Sequence, residues 1–388
     1  MFPAAHGMFA ERHTPYLDTA GYGLPPTATV EVLREALDTW QGGTANWIKD
    51  WDSAGDRCRV LAAAQLGTVS DNVALLPAVS VGVGLALSHL GAGDEILLPD
   101  DEFASVMLPA LAAADAHGVH IRRVSFEDLA ASIRPETTLV ATSHVRSNDG
   151  RVQNLSALVS RAKAVGARTL VDATHSAGVL AIDTDTLGID VVVAAAYKHL
   201  LCPRGVAVMS VAPDLLQSLN PWLASWRSAA EPYAHFYGGS LAVLADTAAR
   251  LDVSLAWHAW VGAEQSLEFL SRIPIEERSR WCVGLADHLA DRLGVSRTGS
   301  SILAVRVKRE SEARRGLSNH GIVASGTNGL IRLSFHLYND VEDADAAAAA
   351  LEEFVDHSGE IDRPGSNLIE SVLDSVIRRE SHAIGEGK

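Results

Sequence analysis

The sequence predicts an α/β protein: a larger part on a mostly parallel sheet covered on both faces, then a smaller α+β part. Three observations carry that prediction. From about residue 57 to 210, short apolar runs alternate with longer helical patterns, the pattern of strand–helix–strand layering. The runs are continuous in Val, Leu, Ile and Ala rather than alternating with polar residues, which suits strands buried on both sides. After about residue 245 the rhythm changes to long helical segments, two short strands and an alanine-rich helix.

Taken in order, the candidate strands of the larger part are 73–76, 95–98, 120–124, 138–142, 169–172, 190–195 and 205–210. Helical patterns fall between them at 81–90, 106–117 and 155–165. The smaller part is expected to hold helices at 241–257, 262–273 and 276–293, strands at 302–307 and 330–334, and a helix at 341–356. Near the end, Leu368, Ile369, Val372, Leu373, Val376 and Ile377 recur at the spacing of one apolar helix face. The expected division is an arm at 1–15, a large domain at 16–250 and a small C-terminal domain at 251–388. No internal repeat or low-complexity segment interrupts it.

Composition narrows the function. The 388 residues are 47% hydrophobic and 21% charged, as in a soluble globular chain, and carry a formal charge of −16. That balance argues against nucleic acid as partner, since phosphate backbones are met by clustered Lys and Arg. Cys58, Cys202 and Cys282 form no CxxC pair, so neither a zinc site nor a disulfide framework is expected, and a cytoplasmic setting is. The N-terminus lacks a basic region followed by an apolar run, so no signal peptide is expected. Residues 72–93 lack charged side chains, but Pro77, Ser80, Gly82 and Gly84 interrupt them. A strand, turn and buried helix explain them better than a membrane span.

In an open α/β sheet, ligands bind beyond the carboxyl ends of the strands. Strand 190–195 ends in Tyr197, Lys198 and His199; strand 169–172 ends in "DATHSAG", with Asp172 and His175. Strand 73–76 runs into "PAVSVGVG", strand 95–98 into "PDDEFAS", and strand 138–142 into "SHVRSNDG". A lone lysine at a strand end is usually one that snorkels to solvent. A desolvated one can lose its proton and form a Schiff base with a carbonyl. Pyridoxal phosphate is such a carbonyl, and it needs a carboxylate at its ring nitrogen. Its phosphate needs small residues and free amides at a helix start, which Val79 and Ser80 supply.

The order of phosphate turn, aromatic residue, "DATH", "YKHL" and "IRLSFHLYND" resembles the class V aminotransferase-like family of pyridoxal-phosphate enzymes over roughly residues 16–356. That family includes cysteine desulfurases, kynureninases, isopenicillin-type epimerases and C–S lyases. The resemblance implies fold type I: a large domain around a seven-stranded sheet, a small C-terminal domain, and a homodimer with the site at its interface. It implies Lys198 as the Schiff-base lysine and Asp172 as the pyridinium carboxylate, with His175 near the phenolic oxygen. Tyr197, Ser80 and the Val79 backbone match phosphate contacts. Phe103 falls where desulfurases place a stacking histidine, and Ser147 where they place a cofactor-contacting Asn. Arg332 matches the arginine that pairs with the substrate α-carboxylate. Asn46 and Trp47 lie near the substrate mouth of relatives, and the stretch around Ser254 near the partner subunit's phosphate. A helix cap is the alternative for Ser80, and Asn46 and Trp47 read equally as ordinary packing.

The loop before Arg332, "NHGIVASGTNGLIRLS", contains no cysteine, which disfavours a desulfurase. Kynureninase stays possible, without a feature that selects its substrate. Three outcomes need only the lysine and the electron sink: β-elimination of a thiol from a cysteine S-conjugate, epimerisation or half-transamination, and decarboxylation coupled to oxidative deamination. The composition and "EFASVMLP" look most like secondary-metabolism members of the family, including those of antibiotic biosynthesis, and the reading favoured is a C–S β-lyase. A catalytically silent binding module of the same fold is the competing class, opposed by the joint presence of Lys198, Asp172 and Arg332.

Overall fold

The computed structural model describes residues 2, 5, 7–326 and 328–358; the apolar helix face expected at 368–377 lies outside them. Seven strands, β1 (Val73–Leu76), β2 (Glu95–Pro99), β3 (His120–Val124), β4 (Leu139–Ser143), β5 (Arg168–Asp172), β6 (Val191–Ala195) and β7 (Ala207–Val211), form one sheet. Their order is β1-β7-β6-β5-β4-β2-β3. Pairing is parallel from β3 through β6, and β7 runs antiparallel to both β6 and β1. The α/β class and the mostly parallel seven-stranded sheet are as the sequence implies.

Alternate strand residues serve two cores, which is why the runs read as uninterrupted apolar sequence. Leu75, Leu97, Val140, Val171 and Val192 face helices α2 (Ser53–Leu66), α5 (Leu155–Val165) and α8 (Trp257–Ser271). Leu76, Ile96, Leu98, Leu170, Val191 and Val193 face α3 (Val79–Ala86) and α4 (Ala104–His117). The half-exposed edge strand β3 instead carries Arg122 and Arg123, charges that blunt an edge against further pairing.

A separate core lies around the antiparallel pair β8 (Ile302–Arg306) and β9 (Leu330–Ser334). Helices α9 (Ile275–Leu293), α10 (Glu310–Asn319) and α11 (Val341–Leu351) close over it, burying Leu289, Leu303, Leu317, Leu333 and Leu351. Helix α8 packs instead on α1 (Thr27–Gly42) and α2. Chain segment 16–18 bridges to Val323 and Ser334, which carries Asp18 to the start of the site.

The helix expected at 241–257 is not formed. Short 3-10 turns at Leu241–Val243 and Ala248–Leu251 stand there, and α8 begins only at Trp257. Asp252 is the physical reason. Its buried carboxylate accepts from the Leu75 amide and pairs with Arg59, so the chain must leave helical geometry to deliver it to β1.

Candidate active site

Strands β1, β2, β4, β5 and β6 all end at one edge of the sheet, and four of those ends supply the side chains around Lys198. Lys198 sits in the turn that follows β6, where the Leu201 amide donates to the Lys198 carbonyl and Cys202 returns to Ala196. Gly23 packs directly on this turn: its amide donates to the Tyr197 carbonyl, and a Cβ there would collide with the Lys198 carbonyl. The lysine is 6% exposed. Burial first, then the Arg332 charge, push its ammonium down from 10.5 to about 8. Its Nζ lies 3.2 Å from His175 Nε2, 5.3 Å from the centre of the Phe103 ring and 5.8 Å from that of Tyr197. Phe103 is 44% exposed, and the Arg204 guanidinium lies over the Tyr197 ring, 5.0 Å from its centre.

Asp172, the last residue of β5, is buried and accepts a 2.8 Å bond from the Thr174 amide. Burial pushes its carboxyl up, opposed by Thr174 and the Lys198 charge. Among the described residues no cation lies within salt-bridge distance of it. Burial likewise drives His175 well below the usual imidazole range, so the ring is neutral.

Sequence reasoning passed over Glu102, although it lies inside the quoted "DDEFAS". Its carboxylate accepts from the Ser143 amide and hydroxyl and from the Phe103 amide, tying the end of β2 to the end of β4. Burial raises its pKa, with a further push from Asp172.

Arg332 reaches the same region from β9. Its Nη1 donates to the Ser147 carbonyl at 2.6 Å and the Ser147 hydroxyl at 3.3 Å. Nε and Nη2 donate to Ser325 Oγ, which itself donates to Asp18. Ser147 therefore meets the arginine, and Asp18 and Ser325 are two further polar residues that no strand-end motif signalled. The α3 N-terminus supplies the Val79 and Ser80 amides, which precede the first intrahelical bonds from Val81 and Gly82 to Ala78. Ser80 is exposed and makes no side-chain cap there, which removes the capping reading.

Asn46 and Trp47 belong to a different cluster. Asn46 caps a π-helical turn at Trp47–Asp52. Trp47 stacks on Trp257 at 4.8 Å and meets Trp226, Tyr233 and Phe236 edge-on. Buried Asp52 holds the cluster together, accepting from Trp257 Nε1, Tyr233 and Arg227. Ser254 is exposed, just before α8.

A model of the family "Aminotransferase class-V" matches residues 78–313. The chain belongs to that family. Pyridoxal 5′-phosphate is the cofactor of these enzymes, and so of this one. The residues present suit it: a buried amine with a loosened proton, a buried carboxylate lacking a protein cation, and a small-residue helix start at one sheet edge. A protonated ring nitrogen is the counter-charge that Asp172 lacks.

The uncharacterised aminotransferase YcbU of Bacillus subtilis is 27% identical over 340 residues, covering 82% of this chain and 89% of YcbU. Isopenicillin N epimerase of Streptomyces clavuligerus is 29% identical over 321 residues, covering 72% of this chain and 79% of the epimerase. Among solved structures, the cystine C-S lyase C-DES in complex with its reaction product cysteine persulfide superposes with a TM-score of 0.79 at 22% identity. That match covers 92% of this chain and 100% of the lyase. No helix among the described residues is long and apolar enough to cross a membrane, and no metal-ligating cluster is found among them.

Proposed function

We propose that this class-V enzyme is a C–S β-lyase that cleaves cysteine S-conjugates in secondary metabolism, acting as a homodimer. The observation that carries the reading is the state of its thiols. Cys58, Cys202 and Cys282 are all buried. Burial raises every one of them, Cys282 to about 12. No thiolate is thus on hand to take sulfur from a substrate, as a desulfurase requires, and sulfur would leave as a free thiol. Exposed Trp222, Leu223, Tyr237 and Leu241 support pairing of two copies.

Lys198 and Asp172 would hold the cofactor ring, and the Val79 and Ser80 amides its phosphate, with Tyr197 beside them. When bound, the cofactor supplies an electron sink for negative charge at the substrate α-carbon. Arg332 takes the α-carboxylate in a planar fork, released from Ser147 and Ser325. Roughly a tenth of Lys198 is neutral at pH 7, against about one part in three thousand for an ordinary lysine. As the amine, Lys198 removes the α-proton, and as the ammonium it returns a proton to the departing sulfur. Phe103 presents a phenyl face and exchanges no proton. The overall balance is conjugate plus water giving thiol, pyruvate and ammonia.

The second reading is epimerisation or transamination, supported by the likeness to isopenicillin N epimerase and by His175 as another ring nitrogen beside Lys198. A panel of cysteine S-conjugates separates the readings. Thiol with pyruvate is expected. Racemised conjugate or pyridoxamine phosphate without thiol overturns the lyase reading, as does carbon dioxide with oxygen uptake. Borohydride trapping should label Lys198; a protein that stays colourless with added cofactor would be a silent module.

A further inference from the structure

Behind Lys198 lie three buried histidines, and only the first has a place in the chemistry above. His199 and His336 are both 0% exposed. The His175 and His199 rings meet edge-on with centroids 5.7 Å apart, and His199 and His336 stack at 6.0 Å. At the far end His336 Nε2 lies 3.0 Å from the His199 carbonyl. A carbonyl only accepts, so His336 carries its proton on Nε2 and a bare lone pair on Nδ1.

Between that end and Lys198, four ring nitrogens have no protein partner: His175 Nδ1, both nitrogens of His199, and His336 Nδ1. All three rings are neutral, burial holding His175 and His199 well below the usual range and His336 at about 3. The charges facing them, Lys198, Arg332 and Arg278, are positive and act in the same direction. A neutral imidazole has one donor and one acceptor. Unmet polar atoms in an interior are costly, and a polar chamber with several partners is where buried water is found.

We propose that His199 and His336 are positioning residues. Bridged by buried water, they complete a hydrogen-bonded file behind Lys198 that fixes which nitrogen of His175 bears its proton, and so how that ring meets the lysine. The file ends on a backbone carbonyl rather than at the surface, so it orients and does not conduct protons away. The link to catalysis rests on Lys198 holding the cofactor; the file itself does not.

The test uses the holoenzyme labelled with nitrogen-15 in histidine. In the parent protein His336 should appear as the Nε2–H tautomer and His175 as a single tautomer. His199→Phe keeps a ring but removes both nitrogens. It should split His175 into a mixture and move the midpoint of the kcat–pH profile by about 0.5–1 unit, the worth of one hydrogen bond. His199→Asn, with a donor and an acceptor restored, should recover much of the shift. An unmoved His175 tautomer and pH midpoint in His199→Phe, with only a lower melting temperature, would overturn the proposal. If His199→Phe does not fold, His336→Gln is read by the same two measurements with the same criteria. Borohydride labelling of a residue other than Lys198 would sink the catalytic reading yet leave the tautomer result to decide on the file.

Discussion

Replacing Lys198 by Met should stabilise the cofactor-free protein near neutral pH, and by an amount that depends on pH. The lysine is 6% exposed, and burial with the Arg332 charge lowers its ammonium from 10.5 to about 8. In the folded chain the proton is therefore released first as pH rises. Between about 8 and 10.5 the unfolded chain holds more protons, so stability climbs with pH through that window and levels off above it. At 1.36 kcal/mol per pH unit, the native state gives up about 3 kcal/mol below pH 8 to keep an ammonium there. Methionine, of similar length and without charge, removes that cost. Urea melts of both cofactor-free proteins from pH 7 to 10.5 should show the variant more stable at pH 7. The difference should shrink by about 3 kcal/mol across the range. Packing differences between the two side chains add a constant and do not affect the slope. A difference that stays flat with pH would refute the reasoning, because it would mean that Lys198 is an ordinary solvated lysine.

Arg332→Lys cannot reproduce the fork and should reduce kcat/KM for amino acids roughly 10- to 100-fold, while sparing the matching amines without a carboxylate; equal losses for both would count against carboxylate recognition. Asp172→Asn should leave the fold intact but lower kcat at least about 100-fold, since an amide cannot keep the ring nitrogen protonated; near-normal turnover would remove Asp172 from the site. In Gly82→Ala the new methyl would meet Val193 Cγ1 at 2.9 Å and Leu76 Cδ1 at 3.1 Å. That should shift α3, destabilise by about 1–3 kcal/mol, and weaken cofactor binding measured by equilibrium dialysis. Phe103→Ala should weaken cofactor binding roughly 2- to 10-fold through lost stacking, without changing the midpoint of its pH profile.

Strands 73–76, 120–124 and 330–334 and helix 155–165 are legible to the residue, because each short β-branched or leucine-rich run, or helical repeat, is bounded closely by turn or cap residues; only in 73–76 is the run apolar throughout. The lysine, its carboxylate and the helix start are legible for a related reason: polar residues directly after such runs must lie at the sheet edge. What stays hidden depends on contacts that spacing does not encode. Asp252 looks like one more helical position until its partners, Arg59 and the Leu75 amide, 177 residues away, are known. The Ser325–Asp18 pair behind Arg332 joins residues 307 apart, and Glu102 is recognisable only once β4 is seen beside β2. His199 is the sharpest case. It sits next to the lysine in "YKHL" and resembles part of the motif, yet its fully buried ring stacks on that of His336, 137 residues on. The proposed file makes this neighbour of the lysine a support rather than a contact. Sequence proximity alone does not distinguish that arrangement from direct contact; the two unpartnered nitrogens of a fully buried ring do.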